Sequence, residues 1–191
     1  MSGPAGRRRS VPADGPAYAA ALAAELDGHW PGLAARVSAA DGDGRTLEPD
    51  DLGRPEALAD CLARFARAHP DTDERALASL WIQWYAATTW PALAAGAVVL
   101  GVGPPPDQAA IVLDEEARPV GVRVRAVEPV EPGMFLEALA RRQAGPLMAA
   151  AAATGLSPRV PWSNAINVLG WMLDHLRAVA GEARLAPAFD V

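Results

Sequence analysis

The stretch ALASLWIQWYAATTWPALAAGAVVLG, residues 76–101, is the part of this sequence that decides the fold. Its leucines and tryptophans recur at helical spacing and it carries no charged residue, which predicts a helix buried in a protein core. Pro91 lacks the amide hydrogen that a helix needs, so we expect the helix to kink or divide there. A membrane-spanning or membrane-surface element is the alternative. Gln83 and Pro91 interrupt the stretch, however, and its strongly apolar part is too short to cross a bilayer.

Helical patterns flank this stretch on both sides. Pro16 precedes apolar residues that recur every four positions, and Pro55 begins a second pattern of the same kind. Further on, MFLEALARRQ, an alanine run and the residues after Pro161 also indicate helices. Residues 1–15 are rich in glycine, proline and arginine, which is typical of a flexible tail. We therefore predict a tail over residues 1–15 and a single helical domain over residues 16–191.

One β-hairpin interrupts the helices at about residues 109–127. The sequence AAIVLDEEARPVGVRVRAV combines a short apolar run, a polar turn and an alternating segment. The alternation predicts three residues on each face of the second strand: Val120, Val122 and Val124 opposite Gly121, Arg123 and Arg125. The predicted fold class is therefore mainly α (α+β), a helical domain with one central antiparallel β-hairpin.

The charge of the chain argues against a nucleic-acid partner. Its 191 residues include 23 acidic residues and 17 basic ones, with a net charge of -6. An acidic surface repels phosphate backbones, and no basic stripe with interleaved aromatic residues is present. No convincing export signal follows the basic residues near the N-terminus. We expect a cytoplasmic protein with no nucleic-acid partner and no transmembrane segment. A transient membrane-surface association and the oligomeric state stay open.

Metal and catalytic motifs are sparse. The one cysteine, Cys61, excludes an intramolecular disulfide and a zinc site built from several cysteines. It shares a helical face with leucine and phenylalanine, so we expect a small buried side chain, with a reactive or cluster-ligating thiol as the alternative. The histidines are dispersed along the chain. The sequence therefore predicts no catalytic residue, no metal ligand and no cofactor in this chain.

Polar residues near the C-terminus are the strongest candidates for ligand binding. Asn164, Asn167, Trp171 and His175 follow one another at spacings of three or four on one helix, and side-chain amides both donate and accept hydrogen bonds. Helix capping and packing against a loop are the alternative. The aromatic residues of the central helix fit either a core or a pocket. The two hairpin arginines fit either an anion clamp or a solvated strand face.

The order of these segments resembles a known family. ALASLWIQWYAATTWPALAAGAVVLG, a hairpin ending in VGVRVR, and PWSNAINVLGWMLDHL together resemble the bacterial ferric-siderophore reductases of FhuF type. That family is similar in turn to the C-terminal region of aerobactin-type siderophore synthetases, and the resemblance covers about residues 55–181. It implies reduction of siderophore-bound iron by a 2Fe–2S cluster that four cysteines hold near the C-terminus. This sequence, which ends in RLAPAFDV, lacks those cysteines, so no cluster ligand is carried over.

The resemblance implies a siderophore-iron reductase-like protein of iron assimilation that binds a ferric siderophore but lacks its own redox centre. Whether such a chain is an enzyme stays open, as does the class of siderophore. The alternatives are a non-enzymatic helical interaction protein and a truncated reductase whose cluster comes from a missing segment or a partner. Guanidinium groups would offset ligand charge, indoles would stack and amides would orient the ligand. The candidate ligand-binding residues are Trp84, Tyr85, Arg123, Arg125, Trp162, Asn164 and Asn167.

Overall fold

The computed structural model describes residues 14–38, 45–48, 51, 54–181 and 185. Helices dominate this part of the chain, as predicted. They are α1 (Gly15–Leu26), α2 (Pro31–Ala34), α3 (Pro55–Arg67), α4 (Glu74–Ala95), α5 (Pro132–Thr154) and α6 (Arg159–Ala180). The strands are β1 (Val37–Ser38), β2 (Arg45–Leu47), β3 (Val102–Gly103), β4 (Ala109–Leu113), β5 (Pro119–Val124) and β6 (Glu128–Pro129). The mainly helical fold class with a central hairpin is confirmed.

The predicted tail lies mostly outside the described residues. Its last two residues already belong to the domain, because Asp14 caps α1 and Gly15 begins that helix. The Asp14 carboxylate accepts a hydrogen bond from the Ala17 amide, which satisfies one of the free donors at the helix start. Helix α1 therefore begins one residue before Pro16.

Helix α4 forms the centre of the core. From Tyr85 to Ala95 nearly every residue is buried, in agreement with the uncharged sequence. Pro91 lies inside α4 and does not divide it, so of the two expected effects, a kink or a division, the division is wrong. The chain instead continues into a π-helical segment, Gly96–Leu100, which ends at Gly101 with a φ of 71°. This positive φ favours glycine because it has no Cβ.

The hairpin is confirmed as the antiparallel pair β4–β5, and shorter strands extend it. The four-stranded sheet has the order β1-β5-β4-β2, in which β1 runs parallel to β5 and β2 antiparallel to β4. Strands β3 and β6 form a separate two-stranded sheet. These additional strands are two or three residues long, and the sequence did not predict them.

The predicted alternation along β5 is wrong at Val120. Val122 and Val124 are buried as expected, whereas Val120 is 37% exposed. Val112 pairs with Gly121 and Leu113 with Pro119, so the register shifts by one residue at this point. A β-bulge of this kind changes the face that the extra residue occupies.

The hairpin packs on α4 through specific hydrogen bonds. The Trp81 indole Nε1–H donates to the Ala117 carbonyl oxygen at 2.9 Å, and the Thr88 hydroxyl donates to the Pro119 carbonyl at 3.2 Å. Both bonds are buried, where an unpaired polar group would be costly. Among the helices in the described part of the chain, none combines the length and apolarity that crossing a membrane requires.

Candidate functional site

A groove between α4 and α6 is the candidate binding site. It contains a cavity of about 280 Å³, just below the usual range of about 300–1,000 Å³ for ligand pockets. Two helices supply its walls, and the lining residues are Gln83, Ala87, Asn164, Asn167, Val168 and Trp171. These side chains combine amide groups, one indole and small apolar groups. Such a wall can form hydrogen bonds and apolar contacts, and its lining carries no charge.

Asn164 connects the two walls at one end of the groove. Its side-chain Nδ2 donates to the carbonyl oxygen of Ser79 at 3.2 Å and lies 3.3 Å from the Ser79 hydroxyl oxygen. Ser79 and Gln83 are four residues apart and therefore lie on one face of α4. Asn164 is half-buried, so its amide both holds α6 against α4 and borders the cavity.

The other polar lining groups retain hydrogen-bonding capacity. The side chains of Gln83 and Asn167 are exposed, and neither amide makes a hydrogen bond to another residue in the described ranges. Each amide offers a carbonyl oxygen and an NH₂ group, so each can both accept and donate. These two residues are therefore available to a ligand in the groove.

Trp171 provides the aromatic surface of the groove and is held by neighbouring rings. Its indole is 43% exposed. It packs edge-on against Trp30 with a centroid distance of 5.0 Å, and the His175 ring lies 4.6 Å from it. The His175 Nδ1–H donates to the Trp171 carbonyl oxygen at 2.8 Å. The indole is therefore positioned before any ligand arrives.

The structure brings Asn164 and Asn167 together, as their spacing predicts, but it places the other candidates elsewhere. Tyr85 is buried and stacks on Trp81 at a centroid distance of 5.7 Å. Burial also raises the pKa of the Tyr85 phenol, because the phenolate would lose its hydration. Trp84 is exposed, with the Arg118 guanidinium 5.1 Å above its ring. Neither Trp84 nor Tyr85 lines the groove.

Trp162 lies on the opposite side of α6 from Asn164. Two residues along an α-helix correspond to a rotation of about 200°, so these side chains point away from each other. Trp162 is 38% exposed and is not part of the groove lining. Its indole therefore does not face the groove amides.

The two hairpin arginines also lie outside the groove. Arg125 forms an ion pair with Glu48 and donates a hydrogen bond to the Asp107 carbonyl oxygen. Arg123, in the middle of β5, pairs with Ala110 on one side and Ser38 on the other. Neither residue lines the groove, so the anion clamp that the sequence suggests is not formed there.

One groove residue, Gln83, carries no prediction from the sequence, and a second, Trp171, lies on the predicted polar stripe but outside the list of candidate ligand-binding residues. Trp171 belongs to the polar stripe on α6, and its spacing of four from Asn167 was the signal that could have included it. Gln83 is an isolated polar residue in an otherwise apolar helix. Its spacing of four from both Ser79 and Ala87 marks the face of α4 that meets α6.

Cys61 does not fit the role of a cluster ligand. Its side chain is 2% exposed on α3, and burial, followed by the neighbouring Asp60 carboxylate, raises the pKa of the thiol. Ligation needs the thiolate, which this environment disfavours. The described residues contain no group of three or more His, Cys, Asp or Glu side chains arranged around a metal ion. The single cysteine of the sequence cannot supply the four thiolates that the resemblance implies.

Comparison with known families gives an independent result. The family described as "Ferric iron reductase FhuF-like transporter" matches residues 79–190, more than half of the chain. No curated protein matches the sequence. The matched region contains both walls of the groove and the hairpin, whereas Cys61 precedes it. The chain therefore belongs to the FhuF-like ferric iron reductase family.

Proposed function

We propose that this chain binds a ferric siderophore in the groove between α4 and α6, as a cytoplasmic, siderophore-iron reductase-like protein of bacterial iron assimilation. Family membership supports a role in ferric siderophore reduction or iron assimilation. The observation that carries the proposal is the groove itself, which lies within the matched region and combines two available amides with a fixed, exposed indole. Amide-rich ligands suit such a wall, because their N–H groups can donate to the side-chain amide oxygens and their oxygens can accept from the side-chain NH₂ groups.

The charge of the groove favours complexes with little net charge. None of its lining residues is ionisable, and the chain carries a net charge of -6. A ferric trihydroxamate is neutral, since three hydroxamate anions balance the ferric ion, whereas a ferric triscatecholate is strongly anionic. The acidic protein would repel the second complex. We therefore propose trihydroxamates as the preferred class. The cavity is small enough that part of the complex would lie on the exposed surface beside Trp171.

In this proposal the residues of this chain bind and orient the complex, and no electron-transfer step is assigned to them. The side-chain NH₂ groups of Gln83 and Asn167 would donate hydrogen bonds to the amide and hydroxamate oxygens of the ligand. Trp171 would contact the apolar parts of the ligand. Asn164 would keep the walls together through Ser79. The buried Cys61 thiol takes no part.

The test is a calorimetric titration of the protein with gallium(III) complexes, which mimic the ferric complexes without their redox chemistry. Trihydroxamate, citrate and catecholate complexes are compared, and saturable binding of the trihydroxamate is the expected result. Two variants on α6 form a matched pair, because Trp171 and Trp162 are similarly exposed. Trp171→Ala should weaken binding about three- to tenfold. Trp162→Ala and Arg123→Ala should leave it unchanged.

Two results would count against the proposal. If none of the three complexes shows saturable binding, the chain is not a siderophore-binding protein, and a helical interaction protein becomes the better interpretation. If Trp162→Ala or Arg123→Ala weakens binding while Trp171→Ala does not, the ligand binds at the candidate residues predicted from the sequence, and the groove is not the binding site.

A further inference from the structure

Arg36 lies next to one end of the groove, although it is not one of the lining residues. Its Nη1 donates to the carbonyl oxygen of Ala87 at 2.7 Å, and Ala87 is a lining residue. At the same end, the lining residue Trp171 packs on Trp30, which lies six positions before Arg36 in the chain. The segment from Trp30 to Arg36 therefore lies beside this end of the groove without belonging to its lining, and Arg36 brings a permanent positive charge close to it.

The Arg36 side chain is held at both ends. The Val122 amide donates to the Arg36 carbonyl oxygen at 2.7 Å, and the Arg36 amide donates to the Leu33 carbonyl at 2.9 Å. These bonds fix the backbone, while the bond to Ala87 fixes the guanidinium. A group positioned in this way loses little conformational entropy when it binds a ligand.

Most of the hydrogen-bonding capacity of this guanidinium is unused. A guanidinium has five N–H donors, and the bond to Ala87 uses one of them. In the described part of the chain Arg36 has no carboxylate partner, whereas Arg45, Arg118 and Arg125 each have one. Arg36 is also half-buried, and a cation that is partly removed from water gains from an anionic partner.

From these three observations we infer that Arg36 determines specificity in the groove by binding a carboxylate on the ligand. The inference rests on the proposed function and adds a ligand class to it: complexes whose chelating part is neutral and whose end carries one carboxylate. A guanidinium binds a carboxylate through two parallel N–H···O bonds, which suits the donors left free by Ala87. The overall negative charge of the protein acts in the opposite direction. A preference for the anionic ligand therefore requires a local contact.

The experiment compares two gallium(III) complexes of one linear trihydroxamate. The terminal amine carries an acetyl group in the first complex and a succinyl group in the second, so the second has one additional carboxymethyl group and with it one negative charge. Calorimetry should show the succinylated complex binding the unmodified protein about five- to tenfold more tightly, as expected for a partly exposed charge-assisted pair. High salt should reduce this ratio, because it screens partly exposed charges.

A pair of variants separates ligand binding from the structural role of Arg36. Pro91→Ala supplies the N–H that the Ala87 carbonyl lacks, so it removes the structural need for the arginine. Pro91→Ala alone should keep the preference for the succinylated complex. Arg36→Gln in the Pro91→Ala background should abolish it and change the affinity for the acetylated complex by less than about twofold. Arg36→Lys keeps the positive charge but loses the planar guanidinium that can make two parallel hydrogen bonds. This variant should retain part of the preference for the succinylated complex.

Each outcome has one meaning. Equal binding of the two complexes to the unmodified protein would overturn the role of Arg36 and leave the proposed function intact. A preference that persists after Arg36→Gln in the Pro91→Ala background would also overturn it. Failure of both complexes to bind the unmodified protein would overturn the proposed function and this inference together. If the Arg36→Gln variant does not fold, the ratio in the unmodified protein, its salt dependence and Arg36→Lys decide.

Discussion

The guanidinium of Arg36 takes the place of a backbone amide for the carbonyl oxygen of Ala87. In a regular α-helix this carbonyl would accept a hydrogen bond from the residue four positions later, which here is Pro91. Proline has no N–H, so the acceptor would stay unpaired inside α4. Arg36 donates to it at 2.7 Å from the segment before β1. This bond explains how α4 continues through Pro91 to Ala95.

The first prediction tests whether the Arg36 guanidinium replaces the N–H that Pro91 lacks. Arg36→Met should lower the free energy of unfolding by about 1–3 kcal/mol, because it leaves a carbonyl acceptor in the core without a partner. In the Pro91→Ala background the same change should lower the free energy of unfolding clearly less, because the alanine introduced there supplies an N–H for the Ala87 carbonyl oxygen. Urea unfolding of the four proteins in this double-mutant cycle measures the coupling. If Arg36→Met lowers the free energy of unfolding equally with Pro91 and with alanine at that position, Arg36 and Pro91 are not coupled.

The second prediction concerns two glycines with opposite surroundings. A Cβ at Gly121 would lie 2.7 Å from the Arg36 carbonyl oxygen, whereas nothing lies within 4 Å of a Cβ at Gly170. Gly121→Ala should therefore destabilise the protein by about 1–3 kcal/mol through overpacking against backbone. Gly170→Ala, at an exposed position inside α6, should stabilise it by about 0.5–1 kcal/mol. Thermal unfolding distinguishes the two, and a stabilising Gly121→Ala would contradict the close approach of β1 to β5.

The sequence was sufficient to predict the parts of the fold that depend on local periodicity. Tyr18, Leu22 and Leu26 recur every four residues, and all three are fully buried on α1. The β4–β5 hairpin also followed from a local pattern. Strand β1 did not, because it has two residues and pairs in parallel with β5, some 85 positions later in the chain. No local pattern encodes such a pairing.

The groove was only partly predictable for a related reason. The spacing of Asn164 and Asn167 places them on one face of α6, and both line the cavity. Which helix faces them depends on tertiary packing, so Gln83 was missed. Trp162 is a candidate because its indole could stack on a ligand, but helical geometry places it on the other side of α6 from Asn164. Tyr85 is a candidate as one of the aromatic residues of the central helix, which fit either a core or a pocket, but it is buried and stacks on Trp81.

The third prediction is that Cys61 is unreactive in the folded protein. Its thiol is buried, and burial, followed by the Asp60 carboxylate, raises its pKa. An aromatic disulfide reagent should label it at least about a hundredfold more slowly in the native protein than in denaturant, where one thiol per chain reacts. Asp60→Asn should increase the native rate only slightly, because burial is the larger cause. Rapid stoichiometric labelling of the native protein would show that the thiol is accessible.

The fourth prediction links the two tyrosines to alkaline stability. Burial raises the pKa of both Tyr18 and Tyr85, so each phenol stays protonated in the folded state at a pH where it ionises in the unfolded chain. Their contribution is fully present below about pH 10 and is lost as the pH rises further. The loss is about 1.4 kcal/mol per pH unit for each tyrosine. Urea unfolding across this range, combined with phenolate absorbance, measures the effect.

Phenylalanine substitutions at these two positions provide matched controls, since each removes one titrating group. The Tyr18 hydroxyl has no hydrogen-bond partner among the described residues. Tyr18→Phe should therefore leave the free energy of unfolding at neutral pH unchanged or raise it by about 1 kcal/mol. The Tyr85 side chain hydrogen-bonds Thr89, so Tyr85→Phe should lower it by about 1 kcal/mol. Both variants should lose stability less steeply above about pH 10. Ionisation of Tyr18 near its ordinary pKa in the folded protein would contradict its burial against Gly96.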